Sequence, residues 1–239
     1  MERIILIETS TALCSTALAE NGQITSYRES CAPKAHASLT AVFIQEMLAE
    51  RNLSLSDCDA VCVSKGPGSY TGLRVGVSTA KGLCFGSEKP LLAVGTLDTL
   101  VAQASGEGIP GQAGNEGANG NGWKYIIPMI DARRMEVYAA VFTPDGRQVT
   151  ETAPSIIDEN SFAEYLAEGP VLFIGDGAGK CADVLKHPNA SFCQCHPKAS
   201  SMLNPAIAAY KEKRFEDVAY FEPFYLKEFV ATVSKKKLF

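Results

Sequence analysis

The N-terminal part of the chain alternates short apolar runs with longer amphipathic stretches, which predicts alternating strands and helices. An apolar run at residues 4–7 predicts a buried strand that ends on Glu8. Two further strands, at 15–19 and from Gln23, flank the pair Asn21-Gly22, which is typical of a hairpin turn. The rest of this half is predicted to contain, in order, a helix at 36–50, a strand at 60–63, a helix at 71–85, a strand at 91–94 and a helix from residue 96.

The same order of elements recurs in the second half of the chain. A strand at 126–130 ends on Asp131, and strands at 136–142 and 147–151 flank the turn Pro144-Asp145-Gly146. A helix at 159–167, a strand at 171–174 and further helices follow. An acidic residue thus closes the first strand of each half, and a turn glycine follows it at nearly the same distance.

Strand hairpins followed by alternating helices and strands predict an α/β protein with two mixed sheets covered by helices. Two βββαβα-type halves that each open on a strand ending in a carboxylate have the layout of the duplicated actin-like (ASKHA, ribonuclease H-like) fold. That fold places nucleotide phosphates between the two strand-end turns. A different α/β duplication without a ligand is the alternative. We expect subdomains at 1–104 and 123–199, a flexible Gly/Asn-rich loop at 105–122, and a C-terminal helix and tail at 200–239 that pack back on the first subdomain.

Composition excludes several classes of protein. The 239 residues are 46% hydrophobic and 21% charged, as in an ordinary soluble domain. The N-terminal apolar run is too short for a signal peptide, and none approaches the roughly 18 residues of a membrane span, so we expect a cytoplasmic protein. A net charge of −5 with one basic cluster, 235–237, argues against a protein that grips nucleic acid by itself.

The cysteines and histidines do not predict a metal site. Eight cysteines are present, and Cys14, Cys62 and Cys84 fall in apolar stretches where reduced thiols behave as small hydrophobes. Cys193-Gln194-Cys195-His196 is the dense cluster, but it lacks a second ligand pair at zinc spacing, so free thiols are favoured over zinc. We predict no metal and no catalytic residue in this chain.

The segment 66–74, Gly-Pro-Gly-Ser-Tyr-Thr-Gly-Leu-Arg, follows a buried strand and opens a helix, so its amides can meet an anion. Its spacing fits neither a P-loop nor the dinucleotide fingerprint, and the segment at 175–180 also fails the P-loop spacing. A phosphate site and a tight strand-to-helix connection therefore both stay open. The candidate nucleotide-binding residues are Glu8, Thr9, Ser10, Gly66, Gly68, Ser69, Asp131 and Arg133; the alternative is that they are strand-end caps and surface charges.

Two helices are candidates for a partner surface. The helix at 71–85 carries small residues four apart on one face, which we attribute to the close approach of another helix backbone. The helix at 36–50 is apolar nearly all around, so it is either a core helix between two layers or a helix with one side on a partner. The interface is favoured, with the candidate residues His36, Leu39, Phe43, Met47, Thr71, Gly72, Val75, Gly76, Thr79 and Ala80.

Taken together, several segments resemble the TsaB (YeaZ) family over nearly the whole chain. The matching segments are 5–11 (Ile-Leu-Ile-Glu-Thr-Ser-Thr), 36–39 (His-Ala-Ser-Leu), 66–76 (Gly-Pro-Gly-Ser-Tyr-Thr-Gly-Leu-Arg-Val-Gly), 131–138 (Asp-Ala-Arg-Arg-Met-Glu-Val-Tyr) and 222–226 (Glu-Pro-Phe-Tyr-Leu). The resemblance implies an actin-like fold and a complex with TsaD, the catalytic subunit, and with the ATPase TsaE. This complex transfers a threonylcarbamoyl group to adenosine in tRNA.

The resemblance also implies how the subunits divide the work. The N-terminal half pairs with TsaD through the two helices above and forms a homodimer when TsaD is absent. tRNA is met only through the complex, and ATP with Mg²⁺ enters at the level of the complex, with no cofactor on this chain alone. TsaD carries an H-x-E-G-H metal motif that this chain lacks around His36.

Glu8 stands where the family usually has Asp, which further weakens a case for nucleotide turnover. The chain is therefore expected to be a non-catalytic activating subunit. The alternatives are a stand-alone ATP-dependent phosphotransferase or acyltransferase of the actin-like superfamily and, with less support, a metallopeptidase.

Overall fold

The first half of the chain forms a five-stranded mixed sheet with helices. The computed structural model describes residues 2–106 and 122–227. Strand β1 is central, antiparallel to the hairpin strand β2 and parallel to β4, in the order β3-β2-β1-β4-β5. The elements are β1 (Arg3–Glu8), β2 (Cys14–Glu20), β3 (Gln23–Ser30), α1 (Ala35–Glu50), β4 (Ala60–Ser64), α2 (Tyr70–Ser87), β5 (Leu91–Val94) and α3 (Thr96–Gly106).

The second half repeats this arrangement in a second five-stranded sheet. Strand β6 is antiparallel to β7 and parallel to β9, and the order is β10-β9-β6-β7-β8. The elements are β6 (Tyr125–Asp131), β7 (Glu136–Ala139), β8 (Ala153–Ile156), α4 (Ala163–Glu168), β9 (Val171–Gly175), α5 (Ala178–Cys181), β10 (Ala190–Gln194) and α6 (Leu203–Lys211). The predicted duplicated actin-like α/β fold is confirmed.

Two predictions in the second half are wrong in detail, and one strand is missing from them. The segment 147–151, expected to be a strand, makes a single β-bridge, and strand β8 forms at Ala153–Ile156 instead. The ladder is interrupted because the Val141 N–H donates to the Thr150 hydroxyl and not to a backbone carbonyl. The helix expected at 159–167 starts at Ala163, since the Asp158 carboxylate accepts from the Asn160 N–H and holds the preceding residues in a turn. Strand β10 was not predicted.

The last helix of each half covers the sheet of the other half. Helix α3 packs through Leu97, Leu100, Val101 and Ala104 on the second sheet. Helix α6 and the turn before it pack through Met202, Ala206 and Ala209 on the first sheet. The two halves therefore interlock, while α1 and α2 cover the remaining face of the first sheet. Of the loop predicted at 105–122, residues 107–121 lie outside the described residues.

A segment after α6, residues 215–227, runs along α2 and reaches the second half; we call it the C-terminal strap. It starts beside β5, where the Glu216 N–H donates to the Leu91 carbonyl over 2.8 Å. Lys81 of α2 then donates to the carbonyls of Ala219 and Phe221 over 3.0 and 3.1 Å. Within residues 2–106 and 122–227, no helix is long and apolar enough to cross a membrane.

Candidate functional site

The turn that follows β1 is buried inside the first half. Glu8, Thr9 and Ser10 are fully buried and Thr11 is 5% exposed. The Ser10 N–H donates to one oxygen of the Glu8 carboxyl over 2.7 Å. His36, at the start of α1, donates from Nε2 to the Thr11 carbonyl over 2.9 Å and closes the turn from one side.

The glycine segment after β4 closes the same turn from the other side. The Ser69 N–H donates to the Ser10 carbonyl over 2.6 Å, and the Ser69 hydroxyl caps α2 by accepting from the Gly72 N–H. A Cβ atom on Gly68 would collide with the Ser10 carbonyl. The structure therefore brings Glu8, Thr9, Ser10, Gly68 and Ser69 together as a packed contact between two loops, with Gly66 beside Phe224 of the strap.

Gly72 and Gly76 have the same role on the first turns of α2. A Cβ on Gly72 would overlap the Thr9 carbonyl oxygen, and one on Gly76 would overlap the Thr9 hydroxyl. The expectation that the small residues admit another helix is therefore wrong at these positions. The backbone of α2 instead approaches the turn after β1.

Burial controls the charge of Glu8. Removal from water raises the pKa of the Glu8 carboxyl to about 7, although hydrogen bonds from Ser10, Ser64 and Thr9 oppose the shift. Its second oxygen has no hydrogen-bond partner in the structure, and neither have the hydroxyls of Thr9, Ser10 and Thr11. A carboxyl in this state is a weak ligand for a cation, since it keeps its proton up to neutral pH.

The corresponding turn in the second half is exposed, but its carboxylate, Asp131, is paired with a lysine. Asp131 is exposed and forms an ion pair with the Lys180 ammonium of α5. The same ammonium donates to the carbonyls of Arg134 and Glu136, each over 2.7 Å. The Asp131 carboxylate also accepts from the Arg133 N–H over 2.8 Å, and Arg133 is itself exposed.

These residues do not fit a magnesium nucleotide. At the first turn the backbone of Gly68 and Gly72 lies directly against the Ser10 and Thr9 carbonyls, and the Glu8 carboxyl is fully buried instead of being exposed to a cation. At the second turn Asp131 is already neutralised by Lys180. In the described part of the chain, no group of three or more His, Cys, Asp or Glu side chains is placed to hold a metal.

The candidate partner surface divides into buried and exposed residues. Met47 and Ala80 are at most 1% exposed and belong to the core beneath α1 and α2. Together with Gly72 and Gly76 they cannot present side chains to a partner, so the prediction is corrected at these four positions. Thr71 is exposed, whereas Leu39, Phe43, Val75 and Thr79 are partly exposed.

Leu39 and Phe43 lie on the flank of α1 that turns towards β3. They share a helical stripe with Glu46 and Glu50, and both of these carboxylates pair with Arg28 of β3. The outward apolar side chains that sequence reasoning missed are Val42 on α1, 41% exposed, and Phe85 on α2, 84% exposed. On α2, Gly82 and Gly86 add open positions, because a Cβ on either would have no neighbour within 4 Å.

The C-terminal strap borders this surface. The Tyr225 ring packs on Tyr70 at a centroid distance of 4.9 Å, and the Arg74 guanidinium lies 4.1 Å from the centre of the Tyr70 ring. Lys227 then pairs with Glu136 beside the second strand-end turn. Hydrophobic periodicity could not have predicted the strap, since it contains no helix or strand.

A cavity of about 660 Å³ opens between α3, α6 and the turn at 144–146. Its ionisable lining residues include Lys65, Asp98 and Arg214. None of the predicted nucleotide-binding residues lines it. The cavity is therefore separate from both strand-end turns.

Two interlocked halves, each with a central strand that leads into a turn, define a duplicated α/β protein of the actin-like class. The family model described as "TsaD: tRNA N6-adenosine threonylcarbamoyltransferase" matches residues 28–235. The tRNA threonylcarbamoyladenosine biosynthesis protein TsaB of Escherichia coli K12 is 30% identical over 236 residues, which cover 96% of each chain. The protein of the same name from Bacillus subtilis 168 is 28% identical over 233 residues, 94% of this chain and 93% of the relative.

A crystal structure from Pseudomonas aeruginosa, described as an uncharacterized protein with similarity to peptidase YEAZ, superposes with a TM-score of 0.80. It is 26% identical, and the match covers 95% of this chain and 100% of that one. The chain therefore belongs to the family that the TsaD model describes and, within it, to the TsaB proteins. The resemblance found in the sequence is confirmed.

Proposed function

We propose that this chain is a non-catalytic, activating subunit of a tRNA threonylcarbamoyladenosine transferase complex. It pairs with a TsaD-like catalytic chain, works with a TsaE-like ATPase and meets tRNA only through the complex, in the cytoplasm. The names of the relatives support the pathway. The net charge of −5 supports a role in which another subunit holds the RNA.

The observation that carries the proposal is the uncovered outer face of α1 and α2. Large apolar side chains on a monomer surface are common singly, but Val42 and Phe85 lie on adjacent helices, and the open positions Gly82 and Gly86 flank Phe85 along α2. Flat glycine positions let a partner helix approach α2 closely. We define this outer face of Val42, Val75, Thr79, Gly82 and Phe85 as the docking face.

The closed turn after β1 supports a subunit without chemistry of its own. Catalysis on a nucleotide needs a free carboxylate, whereas Glu8 is fully buried and Gly68 and Gly72 lie directly against the turn that follows it. ATP and Mg²⁺ accordingly act only at the level of the complex. Without the TsaD-like chain, two copies of this chain cover the same docking face and form a homodimer.

Co-purification tests the proposal. The tagged full-length chain is expected to retain the TsaD-like chain of the same cell, and Gly82→Arg is expected to abolish retention without unfolding, because the site is open. The matched control is Ile156→Arg in β8, a 77% exposed site in the other half. Gly146, an exposed glycine in that half, is not suitable as a control, because its positive φ would strain an arginine. Equal retention by wild type and Gly82→Arg would contradict the docking face, and no retention by wild type would contradict the subunit role.

The stand-alone phosphotransferase has no observation in its favour. It requires Glu8 and Asp131 to hold Mg-ATP. A rise in Tm of the isolated wild-type chain with Mg-ATP, lost in Glu8→Ala, would establish it. We expect no rise, since Glu8 is buried and Asp131 is paired.

A further inference from the structure

Two cysteines at the edge of the second sheet take no part in the proposed function. Strand β10 pairs with β9 in parallel, with Cys193 opposite Ile174. The ladder continues to Cys195, whose N–H donates to the Gly175 carbonyl over 3.4 Å. Alternate residues of a strand share one face, so both thiols lie on the same side. Both pack at the rim of the apolar cluster between α3 and the second sheet.

The pair differs from the other cysteines in its access to solvent. All eight cysteines are free, and five of them are buried: Cys14, Cys58, Cys62, Cys84 and Cys181. Cys31 is exposed after β3 and stands alone. Cys193 and Cys195 are both partly exposed, and they lie two residues apart.

The two thiols also interact with each other. The neighbouring Cys195 thiol stabilises the Cys193 thiolate and lowers the pKa of Cys193 to about 7, against the opposing effect of burial. The neighbouring Cys193 and burial raise the pKa of Cys195, and the charge of Lys198 opposes this shift. The other ionisable side chains on the neighbouring segments are Asp176 after β9 and His196 after β10.

We propose that Cys193 and Cys195 are a thiol-modification site that reacts with low-molecular-weight disulfides and closes into an intramolecular disulfide. The Cys193 thiolate attacks one sulfur of the reagent, whose S–S bond breaks as a mixed disulfide forms and one thiolate leaves to take a proton from water. Cys195, after losing its proton to water, attacks the Cys193 sulfur and expels the second thiol. Two cysteine thiols are oxidised and one small disulfide is reduced to two thiols.

The closed form is easily reversed. Two residues apart on a strand, the Cα atoms are separated by roughly 6.4–6.8 Å. This is the upper edge of the range for a disulfide, about 4.4–6.8 Å, so closure strains the backbone and favours reduction. The strain falls where the second half joins the first: the Gln103 amide donates to the His196 carbonyl and accepts from the Lys198 N–H, each over 3.2 Å.

Alkylation of the full-length chain with iodoacetamide tests the thiolate. Peptide mass spectrometry should show the Cys193 rate rising to its half-maximum near pH 7, with Cys31 as the internal exposed thiol. Cys195→Ala removes the neighbouring thiol and should move this midpoint up by at least one pH unit, whereas Cys195→Ser keeps a polar hydrogen there and should move it less. An unchanged midpoint in Cys195→Ala, or labelling of Cys193 no faster than of Cys181, would overturn the proposal.

Oxidised glutathione tests the closure. Wild type should lose the mass of two hydrogen atoms without retaining glutathione and recover on addition of a reducing dithiol. Cys195→Ser should keep one glutathione on Cys193, because nothing can resolve it. A lasting adduct on wild type, or no reaction at Cys193, would contradict a closing pair, and thermal unfolding confirms that the variants are folded.

Discussion

The glycines of α2 provide the sharpest test of how the fold positions its two candidate sites. Gly72 lies in the first turn of α2 and Gly82 in its interior, where alanine gains about 0.8–1 kcal/mol of helix propensity. Their surroundings differ: a Cβ on Gly72 would lie 2.1 Å from the Thr9 carbonyl oxygen, and one on Gly82 would have no neighbour within 4 Å. The same substitution should therefore change the free energy of unfolding in opposite directions.

For Gly72→Ala the helix must move by about 1 Å from a turn that is itself fully buried. Overpacking of a buried site costs typically 1–3 kcal/mol and occasionally more. A backbone oxygen cannot rotate away, so we place Gly72→Ala at the upper end and expect a net loss of about 2 kcal/mol. At roughly 2–4 °C per kcal/mol for a chain of this size, Tm should fall by about 4–8 °C.

For Gly82→Ala the expected change is a rise in Tm of about 2–4 °C. Thermal and urea unfolding at low protein concentration, where self-association does not contribute, measure both variants. A Gly72→Ala variant as stable as wild type would refute the close packing of α2 on the turn after β1. Destabilisation by Gly82→Ala would show that the outer face of α2 is covered within the monomer.

Three further predictions concern the turns and the strap. The first prediction compares wild type with Glu8→Gln. Between pH 4.5 and about 7, the Glu8 carboxyl of the folded wild type keeps a proton that the same carboxyl has lost in the unfolded chain. The free energy of unfolding of wild type should thus fall relative to that of the variant as pH rises through this window, by up to about 3 kcal/mol. Parallel dependence of the two free energies on pH would refute a buried carboxyl. Tyr225→Ala should lose about 0.5–1.5 kcal/mol of ring packing on Tyr70 and speed hydrogen exchange in the strap, whereas Lys227→Ala, which breaks an exposed ion pair, should leave Tm nearly unchanged. Lys180→Met should loosen the turn at Asp131, seen as faster proteolysis after Arg133 or Arg134, without creating a rise in Tm with Mg-ATP; such a rise would show that Lys180 alone blocks a nucleotide site.

Most of the fold could be predicted from the pattern of apolar runs, because the central strand of each sheet is buried on both faces. The runs at 4–7 and 126–130 are continuous and apolar, and a turn glycine marks the hairpin after each of them. The predicted elements are wrong where a side chain replaces the backbone as hydrogen-bond acceptor, as the Thr150 hydroxyl does for the Val141 N–H. Strand β10 was missed because its sequence, Ala-Ser-Phe-Cys-Gln, shows no alternation.

The candidate site was harder to predict because it depends on packing between distant loops. The motif at 66–74 was recognised, but its spacing left phosphate binding and a tight connection equally open. The contact of Gly68 and Gly72 with the turn after β1 favours the tight connection. Helical spacing likewise grouped Gly72, Gly76 and Ala80 correctly on one face but did not say that this face is the inner one.

The affinity of the isolated chain for the TsaD-like chain of the same cell tests the central claim most directly. Titration calorimetry with purified full-length proteins should give a saturable complex for wild type and for Ile156→Ser, whose side chain is 77% exposed on β8 of the second sheet. Phe85→Ser should weaken binding at least tenfold, about 1.4 kcal/mol, as expected when an aromatic anchor is lost from an interface. No binding by wild type, or equal weakening by both variants, would contradict the account of a TsaB subunit that docks through the outer face of α1 and α2.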